Sequence, residues 1–598
     1  MIMILLNYPR PDFRRKNWID LTGKWLFHFD YKERLTFENA KDLDMYTYEI
    51  NVPYPYQSTL SGIGADVECD AIWYACQFSV SPHHLKSYKT FLIKFGAVDY
   101  ESHVWLNEKY LGKHIGGYDP FSFNISDIVE NENTLILKVI DRHGDQPRGK
   151  QAKRGEKPSG IIYTKVTGIW QPVWLEMIKG KTYIENYQII IESSKSFILR
   201  VQMGGKMKED LSLEVSITSG GTSIEQRVIR LKQMIVEEKI ELEDPILWSP
   251  DDPHLYDLKL TLKHDEEILD EVEGYFGLRE ISIKGDKILF NGKPIYLQMV
   301  LDQGYYLDGI YTPKRVEDFL SDLKNVIEMG FNGVRAHQKP PDPRYLYIAD
   351  SLGVLVWEEM ADWGMSLKKE NLEIFLSQWR NIIKRDFNHP SVITWVPFNE
   401  RIEPTKSEEA RKFILTVFEE TKKLDPTRPV IDSSGWTHVK TDIMDIHDYL
   451  YCMNTGREYS EILNYEELWK PIIEGTELIE IGSEPFRISI PGTYKKQPIV
   501  ISEFGGWGIE GQKPVIDRKP YVYAKLYDSF RLQAKFEEIV KAIALASHIS
   551  GYCYTQLYDV EGELNGLLTY NRKWKIDPQK IRKANNEALR IWKEKVME

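Results

Sequence analysis

Two glutamates stand where hydrophobic runs end. Val392-Ile393-Thr394-Trp395-Val396-Pro397-Phe398 leads directly into Asn399-Glu400, and Pro498-Ile499-Val500-Ile501-Ser502 leads into Glu503. Such runs read as buried strands. A carboxylate closing a buried strand must be hydrogen-bonded, paired or put to use. Paired carboxylates across a cavity suit glycoside hydrolysis: one attacks the anomeric carbon, the other gives a proton to the leaving oxygen, and a separation of ~5–5.5 Å yields retention of configuration. The acid must keep its proton near neutral pH, which a negative neighbour and partial burial both favour. A structural alternative exists for each glutamate, capping a following helix or pairing with an arginine.

The elements that would position this pair change character along the chain. Residues 1–180 read as β: Lys24-Trp25-Leu26-Phe27-His28-Phe29 and Thr134-Leu135-Ile136-Leu137-Lys138-Val139 are typical runs, punctuated by Gly, Pro and Asn, as in a jelly-roll sandwich. Residues 181–277 continue in β at period two, as in Leu258-Lys259-Leu260-Thr261-Leu262, and suit an immunoglobulin-like sandwich. From 278 to 598 buried-strand runs alternate with amphipathic helical stretches. Strands are expected at 295–301, 333–336, 354–357, 392–397, 429–432, 443–447, 499–502 and 552–556, and helices at 315–329, 372–387, 408–424 and 534–547. That alternation indicates a (β/α)8 TIM barrel, whose active sites lie on the loops that follow the strands. Glu400 and Glu503 then close the fourth and seventh strands. The long irregular stretch 450–497 suits a functional loop.

Composition narrows the classes. The 598 residues carry 77 Lys plus Arg against 90 Asp plus Glu, a net charge of −13, and no basic face that would track phosphates. Nucleic acid is therefore not an expected partner. No run approaches the ~18–20 apolar residues of a membrane span. Four cysteines without a C-x-x-C spacing give neither a disulfide framework nor a zinc knuckle. Met1-Ile2-Met3-Ile4-Leu5-Leu6 has no preceding positive charge and no small-residue cleavage site, so a cytoplasmic location is expected. No metal or cofactor is expected, since no acidic cluster surrounds Asn399-Glu400 in sequence and Gly-rich nucleotide fingerprints are missing.

Over nearly its whole length the chain resembles glycoside hydrolase family 2, the β-galactosidase and β-glucuronidase family. The resemblance is carried by Leu21-Thr22-Gly23-Lys24-Trp25, by Thr167-Gly168-Ile169-Trp170-Gln171-Pro172-Val173-Trp174-Leu175, by Phe276-Gly277-Leu278-Arg279, by Gly330-Phe331-Asn332-Gly333-Val334-Arg335-Ala336-His337, and above all by Asn388-His389-Pro390-Ser391-Val392 through Glu400. It implies that Glu400 is the acid/base and Glu503 the nucleophile. Asn399 would bond the sugar 2-hydroxyl, and Arg335 would hold Glu503 ionised. His337 would bind a ring hydroxyl. Tyr449 resembles the tyrosine that touches the nucleophile, with His447 as an alternative occupant of that space. Tyr554 and Trp507 are candidate sugar platforms, each also readable as core.

Departures bear on the sugar. The Asn-x-Lys pair that clamps a uronate in glucuronidases is replaced before Gly566 by Glu563-Leu564-Asn565, and the Asp that many relatives carry six residues before Gly168 is Ile162. Leu301-Asp302-Gln303-Gly304 replaces an Asn-Arg-His-Glu pattern, and Gln338-Lys339-Pro340 follows His337. Asp302 and Lys339 are thus candidates for an altered specificity, although an exposed loop position is also open to Lys339. The reading is a retaining exo-β-glycosidase on a carbohydrate substrate, with β-galactosides first and glucuronides, galacturonides or arabinosides as alternatives. A carbohydrate-binding relative without activity, a transglycosylase and a homo-oligomer stay open.

Overall fold

Alternating apolar residues build the first sandwich. In the strand Gly23–Asp30 the side chains of Trp25, Phe27 and Phe29 turn inward. They belong to a six-stranded antiparallel sheet ordered Tyr48–Val52, Gly23–Asp30, Ala71–Ser79, Glu132–Ile140, Glu101–Leu106 and Lys109–Ile115. A second sheet, ordered Trp18–Asp20, Val173–Ile178, Thr90–Phe95 and Phe121–Asn124, covers it. Ile93, Phe95, Val173 and Leu175 from the second sheet share one core with Phe27, Tyr74 and Leu137 from the first. The next sandwich pairs a three-stranded sheet, led by Thr182–Ser193, with a four-stranded one that ends in Glu267–Phe276. Phe197, Leu199, Leu213, Val215, Leu258 and Leu260 fill the space between them. The structure, a computed structural model, describes residues 6–449, 479–481, 484–486, 490, 492–546 and 548–597. Most of the expected functional loop 450–497 lies outside these.

The remainder is the TIM barrel. Its parallel sheet runs in the order Val392–Val396, Leu355–Glu359, Gly333–Ala336, Leu297–Asp302, Ile549–Thr555, Ile499–Gly505 and Met444–Asp448. The expected fifth strand, 429–432, is not a strand. It lies beside Val392–Val396 through isolated bridges, Trp395 to Val430 and Asn399 to Ser434. Its next contacts with Met444–Asp448 run through side chains, as in the bond from Ser434 Oγ to Asp445. Helices return the chain between strands. Glu408–Leu424 buries Ala410, Phe413, Ile414, Val417, Phe418 and Thr421, one stripe at helical spacing, and Ser407 Oγ caps it by accepting from Ala410 N at 3.2 Å. No helix among the described residues is long and apolar enough to cross a membrane.

The segment just before the fourth strand joins the domains. Asn388 accepts from Ile189 N at 2.9 Å and donates to Tyr187 O at 3.0 Å, fastening the second sandwich. Asp350 accepts from Tyr275 Oη at 2.8 Å, pairs with His389 Nδ1 at 2.6 Å and accepts from Ser391 N at 2.9 Å. All of these groups are buried. An Asp350→Ala variant therefore leaves several buried donors unpaired. It is expected to lose about 3–5 kcal/mol of stability, read as a fall in the urea midpoint by tryptophan fluorescence. A midpoint unchanged within about 1 kcal/mol would contradict this role for the joint.

Candidate functional site

Four strand ends converge on one arginine. Arg335, on Gly333–Ala336, is fully buried. Its Nε donates to Glu359 Oε2 at 2.8 Å, Nη1 to Glu503 Oε1 at 2.7 Å, and Nη2 to Asn399 Oδ1 at 2.6 Å. Burial opposes the guanidinium's charge, but Glu359 and Glu503 outweigh it and hold the group protonated. Burial pushes the Glu503 carboxyl up; His447 and the Arg335 guanidinium, with Lys150 behind them, pull it down further. Glu503 is therefore held well below the usual carboxylate range. Tyr449 Oη donates to Glu503 Oε2 at 2.6 Å, and the Thr555 hydroxyl, 3.1 Å away, is placed to donate to the same phenol oxygen. Burial and the Glu503 charge raise the phenol well above its ordinary value, so it remains a donor. Tyr523 stacks on its ring at 4.4 Å.

Glu400 sits on a strained turn. Its φ is 52°, in the left-handed region. The turn is fixed by Glu400 N donating to Ser434 O at 2.9 Å and by Asn399 N donating to Asp362 Oδ1 at 3.1 Å. Asp362 is anchored by Arg401 Nε at 2.6 Å, and burial raises its carboxyl to about 6 against the Arg401 charge. The turn carries the Glu400 carboxylate to His447 Nδ1 at 2.7 Å. The opposite ring nitrogen, Nε2, lies 3.3 Å from Glu503 Oε1 and 3.2 Å from Arg335 Nη1. One imidazole thus joins the two carboxylates. It fits because residue 435 is glycine at φ 87°: a Cβ there would stand 2.3 Å from the His447 ring.

The ligand atoms of Glu400, His447 and Glu503 all lie within 4.8 Å of one another. This donor set could in principle hold a metal ion. Arg335 Nη1 already serves both Glu503 Oε1 and His447 Nε2, and its charge opposes a cation at that point. What the arrangement can do chemically is present one ionised carboxylate and one partly exposed carboxyl to the same small volume.

Two more predicted residues face that volume. Arg335 holds the Asn399 oxygen, so the free end of this amide is its nitrogen, which can only donate. His337 Nδ1 meets Glu359 at 3.1 Å. Burial, with the Lys150 and Arg335 charges, depresses His337 well below its ordinary value. It is neutral, with Nδ1 donating to the carboxylate and Nε2 left as an acceptor.

Four candidates are corrected. Asp302 does not face the site: Tyr345 Oη at 2.8 Å, Gly304 N at 2.8 Å and Tyr558 Oη saturate it within a buried tyrosine cluster. Lys339 is neither exposed nor beside the carboxylates. It donates to Gly304 O at 2.5 Å and Tyr311 O at 2.8 Å and lies over the Tyr311 ring at 4.7 Å, and burial lowers its ammonium to about 7. Trp507 and Tyr554 are both 0% exposed and pack on each other, with ring centroids 5.9 Å apart. A fully covered ring cannot serve as a platform for sugar, so both belong to the core.

The structure also adds residues the sequence reading passed over. Glu359 closes a strand as Glu400 does, so the same criterion would have found it. Trp363 donates from Nε1 to Asn399 O at 3.0 Å. Tyr163 Oη donates to Glu563, which also accepts from Asn565 Nδ2 at 2.9 Å. Lys150 lies over the Trp363 ring at 4.3 Å. Lys150 and Tyr163 come from the first sandwich, and nothing near them in sequence marks them.

The family models for the sugar binding domain, the central domain and the TIM barrel domain of glycosyl hydrolases family 2 match residues 20–148, 182–279 and 281–586. The chain belongs to glycosyl hydrolases family 2. A β-galactosidase of Thermoanaerobacter pseudethanolicus is 27% identical over 407 residues, 63% of this chain and 51% of that protein. The chain thus spans about half the length of that relative. A β-glucuronidase of Canis lupus familiaris is 25% identical over 597 residues, 88% of this chain and 86% of its own. The solved structure of Bifidobacterium dentium β-glucuronidase complexed with coumarin-3-O-glucuronide superposes with a TM-score of 0.80 at 18% identity, covering 96% of this chain and 98% of that one. This last likeness is one of fold.

The depressed Glu503 carboxyl has a consequence for stability. A group whose folded pKa lies below its unfolded value contributes stability that is present above the unfolded value and lost as pH falls. The unfolded value is about 4.3. Melting temperature of the protein is expected to fall below that pH, and the Glu503→Gln variant to show a flatter fall over the same interval. Parallel curves would contradict the assigned shift.

Proposed function

We propose that the protein is a retaining β-glycosidase that releases terminal β-linked sugars by double displacement. The observation that carries this reading is the approach of the Glu400 and Glu503 oxygens to within 4.8 Å. An inverting pair needs a gap of ~6.5–9.5 Å to seat a water between carboxylate and sugar. The approach of one oxygen from each group supports direct attack over a water seated between carboxylate and sugar.

In the proposed reaction Glu503 attacks the anomeric carbon as the bond to the leaving oxygen breaks. Glu400 passes its proton to that oxygen. Glu400 then takes a proton from water, whose oxygen attacks the same carbon and releases Glu503 from the glycosyl ester. Arg335 and Tyr449 keep Glu503 ionised and oriented between turnovers. The Asn399 amide would donate to the sugar 2-hydroxyl, a bond that strengthens as the oxocarbenium-like transition state forms. His337 Nε2 would accept from a ring hydroxyl.

The first sugar to test is galactose. The relatives named β-galactosidase and the missing Asn-x-Lys pair before Gly566 support it. Glucuronides, galacturonides and arabinosides are the competing substrates. Added acceptor sugars distinguish transglycosylation from hydrolysis. The presence of both carboxylates, each with its supporting partners, argues against an inactive binding protein.

With a nitrophenyl β-galactoside, proton NMR is expected to show the β-anomer of the free sugar as the first product. Glu503→Ala and Glu400→Ala are each expected to lose at least about 10³-fold in kcat/KM. Azide should restore turnover to Glu400→Ala as the β-glycosyl azide and to Glu503→Ala as the α-azide. First release of the α-anomer, or full activity in either variant, would contradict the mechanism.

A further inference from the structure

The loop that follows Glu132–Ile140 in the first sandwich reaches across to the barrel mouth. Arg148 N donates to Trp363 O at 2.9 Å, and the next residue, Gly149, approaches so closely that a Cβ would stand 2.4 Å from Gln338 O. Lys150 comes next. Its backbone carbonyl accepts from Tyr163 N at 2.8 Å, and Tyr163 in turn bonds Glu563. The Lys150 side chain lies over Trp363, which is hydrogen-bonded to the carbonyl just before Glu400. The residue is only 6% exposed. Among the described residues its ammonium makes no hydrogen bond or ion pair, and the contact it does make is with the Trp363 ring at 4.3 Å. A buried cation in this state is costly unless a ligand completes it.

The charge of Lys150 acts on three groups of the site. It helps to pull down Glu503 and His337, and at Glu563, whose carboxyl burial raises above its ordinary value, it acts against that burial. Geometry places Lys150 at the barrel mouth: it lies on the Trp363 ring, whose Nε1 holds the Asn399 carbonyl just before Glu400. Glu563 is tied to the Lys150 segment through Tyr163, whose N–H bonds the Lys150 carbonyl, and is held by Tyr163 and Asn565, one to each oxygen. A carboxylate has about four lone-pair sites, and two of them have no partner among the described residues. The site thus holds a donor with unused N–H groups and an acceptor with unused lone pairs, and they form no ion pair with each other.

We propose that Lys150 and Glu563 form a donor–acceptor clamp on the hydroxyls of a neutral sugar in the substrate site, Lys150 donating to a hydroxyl oxygen and Glu563 accepting a hydroxyl proton. The clamp rests on the glycosidase reading and names the substrate class within it. A uronate would gain Lys150, but its carboxylate would be set against the Glu563 carboxylate. A hydroxyl satisfies both groups at once. The clamp is also supplied by two domains, so the first sandwich takes part in choosing the sugar.

The test uses the full chain with nitrophenyl β-galactoside, its 3-, 4- and 6-deoxy analogues, and nitrophenyl β-glucuronide and β-galacturonide. Lys150→Met is expected to lose about 10- to 100-fold in kcat/KM on the parent galactoside. On the one analogue that lacks the clamped hydroxyl, the variant and wild type should agree within about threefold. Glu563→Gln should give the same pattern, and it carries the test if Lys150→Met does not fold by circular dichroism. Equal losses on every analogue would assign Lys150 a structural role and overturn the clamp. So would wild-type activity in Lys150→Met, or a wild-type preference for a uronide that Lys150→Met abolishes. Hydrolysis of none of the six substrates by the wild type would overturn the underlying glycosidase reading and the clamp with it, whereas loss of the clamp alone leaves galactoside hydrolysis in place.

Discussion

One buried guanidinium organises the centre of this molecule. Arg335 reaches Glu359, Glu503 and Asn399 with three separate N–H groups and touches His447 with one of them. A planar fork of fixed geometry dictates where its acceptors stand. Those acceptors close the strand Leu355–Glu359, lie near the end of Ile499–Gly505 and follow the strand Val392–Val396. Removing the charge would leave two buried carboxylates without a counter-ion, which typically costs ~3–5 kcal/mol. The positions of the two proposed catalytic groups are thus tied to the same interaction that makes this part of the barrel tolerable to burial.

His447 extends this constraint. Its two nitrogens span the Glu400 and Glu503 carboxylates and so fix their separation through a single ring. The proposed double displacement needs the two groups held at such a short, fixed separation. Strain at φ 52° on Glu400 fits the same picture, because the turn is over-determined by bonds to Ser434 and Asp362.

Glu400 and Glu503 were legible in sequence because each is announced by its own strand, a local signal. The order of sandwich, sandwich and barrel was legible for the same reason, through changes of period. The choice between His447 and Tyr449 was not legible. Residues two apart on a strand share a face, and both rings do reach Glu503. Asp302 also closes a strand, yet tyrosines at positions 345 and 558 saturate it from the side. Only tertiary packing decides whether a strand-end carboxylate faces the cavity or its wall. Lys150 is separated from the barrel by a whole domain in sequence, and no pattern around it hints at the Trp363 face it lies on. The fifth strand was expected from its apolar run, but side-chain bonds from Ser434 and His438 to Asp445 take the place of a ladder there.

The claim on which the account turns is that Glu503 is the nucleophile. A dinitrophenyl 2-deoxy-2-fluoro-β-galactoside forms the glycosyl ester quickly and hydrolyses it slowly, so it traps the attacking atom. After incubation, peptic digestion and tandem mass spectrometry, the account predicts a single fluoro-sugar on Glu503, with loss of activity in step with labelling. A label on any other residue, or turnover of the galactoside with no labelled peptide, would contradict it.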